Sequence, residues 1–526
     1  MRKMGARTVV VEELGRGCAE WDRVLQEIGA LRARLGNGMQ DPVVQKFTFV
    51  SRQVDVAEGV GKLPDESFLG YAVLVNLQTP GNVAVSYVLE SVIRELCLPP
   101  PDDGGGYARR PLLNNFLHVK RTFQCNVAEG RQYPLPGSFF CQQNTITSVC
   151  AHACAAMVLN NTLDGMEMVT TEEVNRRLAI DHIRRKLRSG LAGVEWGTHE
   201  GLTPMELQAV FRGFGLEPYW MDFTGEGRAF YRDFLYGFVE SGYPAVVAFT
   251  TSAPGREPAG HVVPVFGHTL NSDSWFPVAF AGYAAQAVGD KPYLSTVDWV
   301  ADFLVHDDNL GMYFCLPGHS FRPEGHPDPG MMFTPIVGIG VYPQTMPVSL
   351  MGFEAERLAC MRFCHFAMYL SAKGKAHLLD SYYMAHLLKH HFNPDERTAV
   401  FRVQLVTKDQ YLGHLRKNDN AEMRLQDNER ATIEGLLRAH SYFWLAEITE
   451  PDLYVGNKAK VLDILIDPAT DLHQSDPQAG TYGVILARLP GALLVPEGEE
   501  WRDSRLSVEG HLPLFELTEH APGTVW

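Results

Sequence analysis

The sequence has no run of eighteen consecutive apolar residues, so it does not predict a transmembrane helix. The apolar segment of a secretory signal is also missing, because residues 1–7 include basic side chains but no hydrophobic stretch follows them. Nine cysteines in 526 residues are an odd number and lie far apart, which favours reduced thiols over a disulfide framework. We therefore expect a cytoplasmic protein without a membrane partner.

Basic charge is scarce as well. The chain has 46 Lys and Arg against 62 Asp and Glu, and the resulting net charge of −16 argues against a general affinity for nucleic acid. The glycines at 104–106 do not form a phosphate loop, because no strand precedes them and no Lys-Ser/Thr pair follows. We expect no cofactor and no nucleic-acid partner. Internal repeats and low-complexity segments are absent from the sequence.

The length predicts two or three domains, because single hydrophobic cores stop growing well below 526 residues. Two segments rich in Pro and Gly, 99–106 and 317–330, are typical of linkers or long loops. They divide the chain into units 1–106, 107–320 and 331–526. We predict a mixed α/β N-terminal unit and an α+β C-terminal unit, and neither contains a catalytic motif.

Hydrophobic periodicity predicts helices and strands in both outer units. The predicted helices are 17–34, 83–96, 353–372 and 375–391. The predicted strands are 47–54, 71–77, 400–406, 442–448, 461–466 and 483–489.

The middle unit contains the most informative stretch, residues 142–159. Polar amides come first, and an alanine-rich helix then begins at Cys150, with Thr147 or Ser148 available to cap it. A thiol at a helix N-terminus lies where the helix dipole favours the nucleophilic thiolate. About a hundred residues later, His261 opens an apolar strand. Cysteine and histidine together predict a nucleophilic catalytic site.

These motifs, in this order, resemble the papain-like cysteine peptidases. The resemblance is closest to the branch that removes double-glycine leader peptides from bacteriocins, and it extends to phytochelatin synthase. Residues 201–216 resemble the helix that precedes the sheet in that family, and residues 242–249 resemble the strand before the histidine hairpin. The resemblance covers about 140–318 and neither flank. It implies an α+β protein with a papain-like catalytic domain at 107–320, flanked by two mixed α/β domains.

The resemblance also implies a role for each matching residue. Cys150 would be the nucleophile, and His261 would be the general base and then the acid. Gln143 would donate its side-chain amide to an oxyanion hole. The alternatives Gln142 and Asn144 stay open, because Gln143 lies seven residues before the cysteine.

The third catalytic residue should be an acid on a following strand that orients the imidazole. The resemblance favours Asp307, which follows the apolar run 299–304. Asp273 is nearer to His261 in sequence and remains an alternative, whereas His268 is expected in the turn after the histidine strand. The long separation between His261 and Asp307 makes 268–296 an insertion and a candidate lid.

Proline within a strand removes a ladder hydrogen bond, so Pro264 predicts that the histidine strand is an edge strand or contains a bulge.

Other groups of cysteine and histidine favour structural interpretations. The spacing of Cys141, Cys150, His152 and Cys154 does not match structural zinc sites, so no metal is expected there. Cys360, Cys364 and His365 lie among apolar residues of a predicted helix, which indicates core packing. Three further histidines lie near a predicted helix C-terminus, where histidine interacts with the terminal carbonyls. They are His386, His390 and His391.

The sequence thus predicts a thiol-dependent acyl-transfer enzyme. Its expected reaction is cleavage of a peptide or isopeptide bond in a peptide or protein substrate, through a thioester at Cys150. Transfer of the acyl group to another acceptor, as in phytochelatin synthase, is the first alternative. A papain-like module that has lost catalysis and serves as a binding or scaffold protein is the second. The oligomeric state is not predicted.

Overall fold

A computed structural model defines the fold. The structure describes residues 1, 5–35, 41–54, 57–78, 84–94, 97–98, 110–111, 115–117, 121–127, 131–144, 149–163, 167–179, 202–252, 255, 259–271, 273–277, 292–318, 332–374, 382–391, 399–417, 427–472, 480–489, 492–505 and 515–518.

The described residues form a mixed α+β protein. Its helices are α1 (Ala19–Leu35), α2 (Cys150–Thr162), α3 (Thr171–Arg177), α4 (Pro204–Gly213), α5 (Tyr231–Glu240), α6 (Gly352–Ala372), α7 (Tyr382–His391), α8 (Lys408–Lys417) and α9 (Asp427–Leu436). Its strands are β1 (Thr8–Leu14), β2 (Val43–Val50), β3 (Phe68–Gln78), β4 (Ala84–Arg94), β5 (Cys97–Leu98), β6 (Arg110–Pro111), β7 (Asn115–Leu117), β8 (Arg121–Asn126), β9 (Gln132–Phe140), β10 (Leu216–Asp222), β11 (Ala245–Ser252), β12 (Ala259–Thr269), β13 (Leu294–Ser295), β14 (Asp302–Asp307), β15 (Gly311–Pro317), β16 (Met332–Pro343), β17 (Val400–Thr407), β18 (Tyr442–Thr449), β19 (Ala459–Lys460), β20 (Leu462–Ile466), β21 (Val484–Leu489), β22 (Ala492–Glu497), β23 (Glu500–Arg505) and β24 (Phe515–Glu516). None of the described helices is both long and apolar enough to cross a membrane.

Three sheets organise these strands. The N-terminal sheet has the order β1-β2-β3-β4-β9-β8, and the middle sheet has the order β10-β16-β11-β12-β14-β15, with β7 also paired to β12. The C-terminal sheet has the order β13-β17-β18-β20-β21-β22-β23. Pairing is antiparallel in all three, apart from the short parallel pair β13–β17.

Helices and sheets alternate in layers. Helices α2 and α4 pack on one face of the middle sheet. Helices α5 and α6 lie between its other face and the C-terminal sheet, in one continuous apolar core. Helix α8 and helix α9 cover the outer face of the C-terminal sheet. The middle sheet is therefore buried on both faces. Such a sheet is a rigid scaffold for side chains at the ends of its strands.

Buried ion pairs also join the middle sheet to the C-terminal sheet. Arg402 on β17 contacts Glu240 at the end of α5 and Glu447 on β18, each at 2.7 Å. Glu240 in turn lies 2.9 Å from Nε2 of His268 on β12. The Glu240 carboxylate therefore links Arg402 on the C-terminal sheet to β12, the strand that carries His261.

The sheets cross both of the predicted domain boundaries. Strands β8 and β9, placed by sequence in the middle unit, complete the N-terminal sheet through pairing with β4. Strand β16, placed in the C-terminal unit, pairs with β10 and β11 inside the middle sheet. Pro- and Gly-rich composition marks a break in regular structure, but it does not indicate which strands pair across that break.

Most of the predicted elements are present within a few residues. The helix predicted at 83–96 is wrong, because its residues 84–94 form β4. The apolar residues Val85, Tyr87 and Leu89 alternate with their neighbours as in a strand. The same segment also has helical periodicity, but its pairing with β3 overrides that signal. The helix predicted at 375–391 is described from 382 onward, and its earlier residues lie outside the described chain.

Candidate active site

Cys150 is the first residue of α2 and is half-buried, whereas residues 151–161 of the same helix are buried. Val149 is the N-cap residue and has no capping side chain; its backbone N–H donates to Nδ1 of His152 at 3.3 Å. Thr147 and Ser148, the residues predicted to cap the helix, lie outside the described chain. Helix α2 is therefore covered by protein from residue 151 to residue 161, and Cys150 at its N-terminus is only half-buried.

The small residues of α2 explain how closely it packs. Ala151, Ala155 and Val158 contact the middle sheet, at strands that include Val246 and Val262. A second stripe of the helix faces the N-terminal sheet; it consists of Ala153, Ala156 and Met157. The helix is thus held between two sheets, and its N-terminus is fixed beside the start of β12.

His261 lies near the beginning of β12, opposite Phe249 of β11. The two rings meet edge to face, with centroids 5.5 Å apart and planes at 86°. The imidazole side chain is only 16% exposed. Phe249 therefore shields one side of the imidazole from water.

Of the two possibilities that Pro264 predicts for β12, an edge position or a bulge, the structure has the bulge. The strand lies between β11 and β14. Pairing with β14 begins only at Val265 and includes a register shift between Val265 and Gly267, which confirms the predicted bulge. Proline is tolerated because β14 does not pair with β12 at Pro264.

Asp307 ends β14 and faces the histidine. Its Oδ2 lies 3.2 Å from Nε2 of His261, although the ring N–H is not aligned with that oxygen, so the contact is an ion pair. Its Oδ1 accepts hydrogen bonds from the backbone N–H groups of Asn309 (2.8 Å) and Leu310 (3.0 Å). Burial raises the pKa of Asp307, but the contact with His261 and these two amides outweigh it and lower the pKa below its usual range.

Asp273, the alternative acid, lies elsewhere. It is exposed, its backbone N–H donates to Asn271, and its carbonyl accepts from the indole of Trp299. Geometry thus brings Asp307, rather than Asp273, to the imidazole.

Cys150 lies next to His261, and this neighbour helps to raise the pKa of the imidazole. Burial lowers the pKa of His261, but the contacts with Asp307 and Cys150 and the charge of Asp308 raise it to about 10. The arrangement therefore favours an imidazolium next to the sulfur.

The upstream amides connect the loop before α2 to the turn that contains Asp307. Gln142 accepts from the backbone N–H of Val88 at 2.9 Å and donates to the carbonyl of Asp308 at 3.0 Å. Gln143 donates Nε2 to Oδ1 of Asn309 at 3.2 Å, and Asn144 is fully buried. Residues 145–148 lie outside the described chain, so the path from these amides to Cys150 is not described.

Asp308 is the residue that sequence reasoning missed. Its side chain is 1% exposed, and its Oδ1 lies 3.6 Å from Nε2 of His261. Burial raises its pKa to about 6, against the opposing effect of the histidine. Asp307 is the last residue of β14 and Asp308 is the first residue of the turn that follows, so the alternation of a strand does not place them on opposite faces. Both carboxylates therefore reach one imidazole.

The other cysteines and histidines that the sequence singled out, where the structure describes their side chains, are packed in the core or paired with neighbouring side chains. Cys154 is buried; burial, and to a lesser extent the nearby Cys150, raises the pKa of its thiol well above the usual value. Burial likewise raises the pKa of the Cys141 thiol. Cys360 packs in the core. His386 contacts Glu450 at 2.7 Å, and the side chains of His390 and His391 lie outside the described chain.

The predicted insertion 268–296 is only partly described. Its end is not a lid: strand β13 pairs with β17 of the C-terminal sheet, and both of its residues are buried. His268 lies within β12 rather than in the turn predicted after it, and it contacts Glu240. Residues 278–291 lie outside the described chain.

The three side chains of Cys150, His261 and Asp307 come from one helix and two strands of the middle unit. The arrangement has the parts of a thiol nucleophile, a base and an orienting acid. The chain matches no protein-family model and no curated protein.

Proposed function

We propose that the chain is a thiol-dependent acyl-transfer enzyme, a cysteine peptidase that cleaves a peptide or isopeptide bond through a thioester at Cys150. The observation that carries this proposal is that His261 lies between two partners, with Nε2 3.2 Å from Oδ2 of Asp307 and Cys150 close enough to raise the pKa of the imidazole. Nucleophile, base and orienting acid are therefore brought together, as acyl transfer needs.

The architecture around the site supports a papain-like catalytic domain. A buried helix begins at the cysteine and packs on an antiparallel sheet, the histidine lies on a strand of that sheet, and the acid ends the neighbouring strand β14. Helix α4 precedes the first strand of the sheet, and Thr203 and Glu206 form its capping box. The described cysteines are free thiols, which supports a reducing, cytoplasmic setting.

In the first step the Cys150 thiolate attacks the carbonyl carbon of the substrate. The tetrahedral oxyanion is stabilised by the backbone N–H of Cys150, which has no intrahelical acceptor at the start of α2, and by a side-chain amide. Gln143 fits that role better than Gln142, whose amide oxygen and nitrogen both bind backbone groups. The imidazolium of His261 then gives its proton to the leaving amine, and the C–N bond breaks.

In the second step water attacks the thioester carbonyl, and His261 accepts the water proton. The C–S bond breaks and restores the Cys150 thiolate and the imidazolium. Asp307 holds the ring throughout, because its own orientation is fixed by two backbone N–H groups.

Alkylation by iodoacetamide near neutral pH, read by mass spectrometry, tests the first part of this proposal. Cys150 should react at least about tenfold faster than Cys315, because a thiolate is the reactive form. Cys315 is the matched control: it is also half-buried, and burial raises its pKa to about 11. Cys150→Ala should remove the fast label, and His261→Ala should slow it. Equal, slow labelling of all thiols would contradict the enzyme and favour a non-catalytic binding module.

A second measurement separates hydrolysis from transfer. The thioester at Cys150 is trapped with an activated acyl substrate, and added amines are tested for their ability to divert the acyl group. Product formation that is independent of added acceptors supports the peptidase. Diversion to the amine in preference to water would instead identify an acyltransferase.

A further inference from the structure

Three buried polar atoms converge beside the proposed site without partners. In the part of the chain that the structure describes, Nε2 of His261 and both carboxylate oxygens of Asp308 have no hydrogen-bond partner. The Asp308 side chain is 1% exposed, so water cannot solvate it freely. Buried polar atoms in native proteins nearly always have a partner, and an exception points to a bound water or ion.

The spacing of these atoms fits a metal ion. Nε2 of His261 lies 3.2 Å from Oδ2 of Asp307 and 3.6 Å from Oδ1 of Asp308. Tetrahedral zinc, with bonds of about 2.0–2.2 Å, keeps neighbouring ligand atoms about 3.3–3.6 Å apart. All three ligand atoms lie within 4.8 Å of one another. A small shift of side chains would therefore form three zinc bonds.

The chemistry of the ligands points in the same direction. One imidazole and two carboxylates are a ligand set that zinc accepts, with a fourth position left for water. Two adjacent buried carboxylates repel each other, and a divalent cation between them would offset that repulsion. The backbone N–H groups of Asn309 and Leu310 already hold Asp307 from behind, as outer-shell donors do in metal sites.

We propose that His261, Asp307 and Asp308 bind one Zn²⁺ ion, and that the bound ion reversibly inhibits the thiol chemistry at Cys150. Inhibition rests on the function proposed above, whereas metal binding does not. Zinc on Nε2 takes the lone pair of that ring nitrogen, so the imidazole can no longer become the imidazolium that protonates the leaving amine. The same ion takes the Asp307 oxygen that otherwise orients the ring.

Binding is measured first, on the full-length protein after treatment with a chelator. Isothermal titration with Zn²⁺ should give one site in the wild type, and Asp308→Asn should weaken it at least about tenfold. Asp273→Asn is the matched control, because that carboxylate is exposed and lies outside the cluster. It should bind zinc as the wild type does. Circular dichroism and thermal melting check that each variant is folded.

Cobalt distinguishes the ligands. Co²⁺ should bind without a thiolate-to-metal charge-transfer band, and Cys150→Ala should leave the titration unchanged. A strong charge-transfer band that disappears in Cys150→Ala would overturn the three-residue assignment. Absence of Zn²⁺ binding in the wild type, or equal binding by Asp308→Asn, would show that the unpartnered atoms hold only water or a proton.

Inhibition is measured separately, as the rate of Cys150 alkylation and of peptide cleavage at increasing Zn²⁺. The wild type should lose activity at the zinc concentration that fills the site, and Asp308→Asn should need at least about tenfold more zinc. Binding without inhibition would overturn the regulatory part. Zinc binding at this cluster in a protein that cleaves no peptide would leave the metal site standing and contradict the peptidase.

Discussion

Asp307 approaches His261 with one carboxylate oxygen while its own turn holds the other. Oδ2 lies 3.2 Å from Nε2 of the imidazole, and Oδ1 accepts the backbone N–H groups of Asn309 and Leu310. The two backbone N–H groups therefore fix the orientation of the Asp307 carboxylate independently of its contact with the histidine. An orienting acid needs this property, because a carboxylate free to rotate would not fix the ring.

Asp307→Ala should slow alkylation of Cys150 by at least about tenfold. The contact with Asp307 helps to raise the pKa of His261 to about 10, and each pKa unit lost reduces the stability of the charged pair about tenfold. Asp273→Ala, at an exposed position away from the imidazole, should leave the rate unchanged. The measurement is the second-order rate with iodoacetamide near pH 7. The opposite order of the two variants would move the third catalytic role to Asp273.

The sequence predicted the parts of this site that depend on local pattern. A helix that begins at Cys150 and an apolar strand that contains His261 follow from periodicity alone. Which aspartate meets the histidine depends on strand order, because Asp273 is nearer in sequence but β14 is the neighbour of β12. Asp308 was missed because it lies in the turn after β14, where the direction of a side chain cannot be read from strand alternation.

The fold shows the same division. Helix α6 and strands β17 and β18 were predicted within one or two residues, because each buries a continuous apolar pattern. Strand β4 was predicted as a helix, since its residues have apolar side chains at both spacings and only pairing with β3 and β9 decides between them. Long-range pairing likewise determines that β16 belongs to the middle sheet.

Gln142 and Gln143 should differ in what their loss affects. Gln142→Ala leaves the N–H of Val88 and the carbonyl of Asp308 without this partner, so the free energy of unfolding should fall by about 1–3 kcal/mol. Among the described residues, Gln143→Ala breaks one hydrogen bond, to the Asn309 side chain, and stability should change by less than about 1 kcal/mol. As an oxyanion donor, Gln143 should instead be worth about 10²–10³ in kcat.

Urea unfolding and turnover of an activated ester, measured on both variants, separate these roles. A Gln142→Ala protein that is stable but has lost turnover would assign the oxyanion donor to Gln142. Full activity in Gln143→Ala would remove Gln143 from the mechanism.

Arg402→Met should destabilise the protein by about 3–5 kcal/mol. The change removes the cation between Glu240 and Glu447 and leaves Glu240 beside His268 and Glu447 beside Lys460 in a dry interior, where breaking a buried ion pair is costly. Arg502→Met is the matched control, because its pair with Glu497 is more than half exposed and should be worth little. Thermal or urea unfolding gives both values. Equal stability of the two variants would show that the buried pairs do not hold the sheets together.

His414 on α8 should make the protein less stable in acid. Burial, and to a lesser extent the positive charge of Lys460, lowers the pKa of the His414 imidazole from about 6.5 to about 4. Between these two values the unfolded chain binds a proton that the folded chain does not. The free energy of unfolding should therefore be unaffected by this group above pH 6.5, and should fall by up to about 3 kcal/mol as the pH drops toward 4.

His414→Gln isolates this contribution from the carboxylates that titrate in the same range. Urea unfolding of the wild type and the variant at pH 8, 6 and 5 gives the difference in unfolding free energy at each pH. The variant should gain on the wild type as the pH falls, because glutamine has no proton to bind in the unfolded chain. A difference that stays constant from pH 8 to pH 5 would mean that His414 is protonated equally in the folded and unfolded states, and that burial on α8 does not exclude its charge.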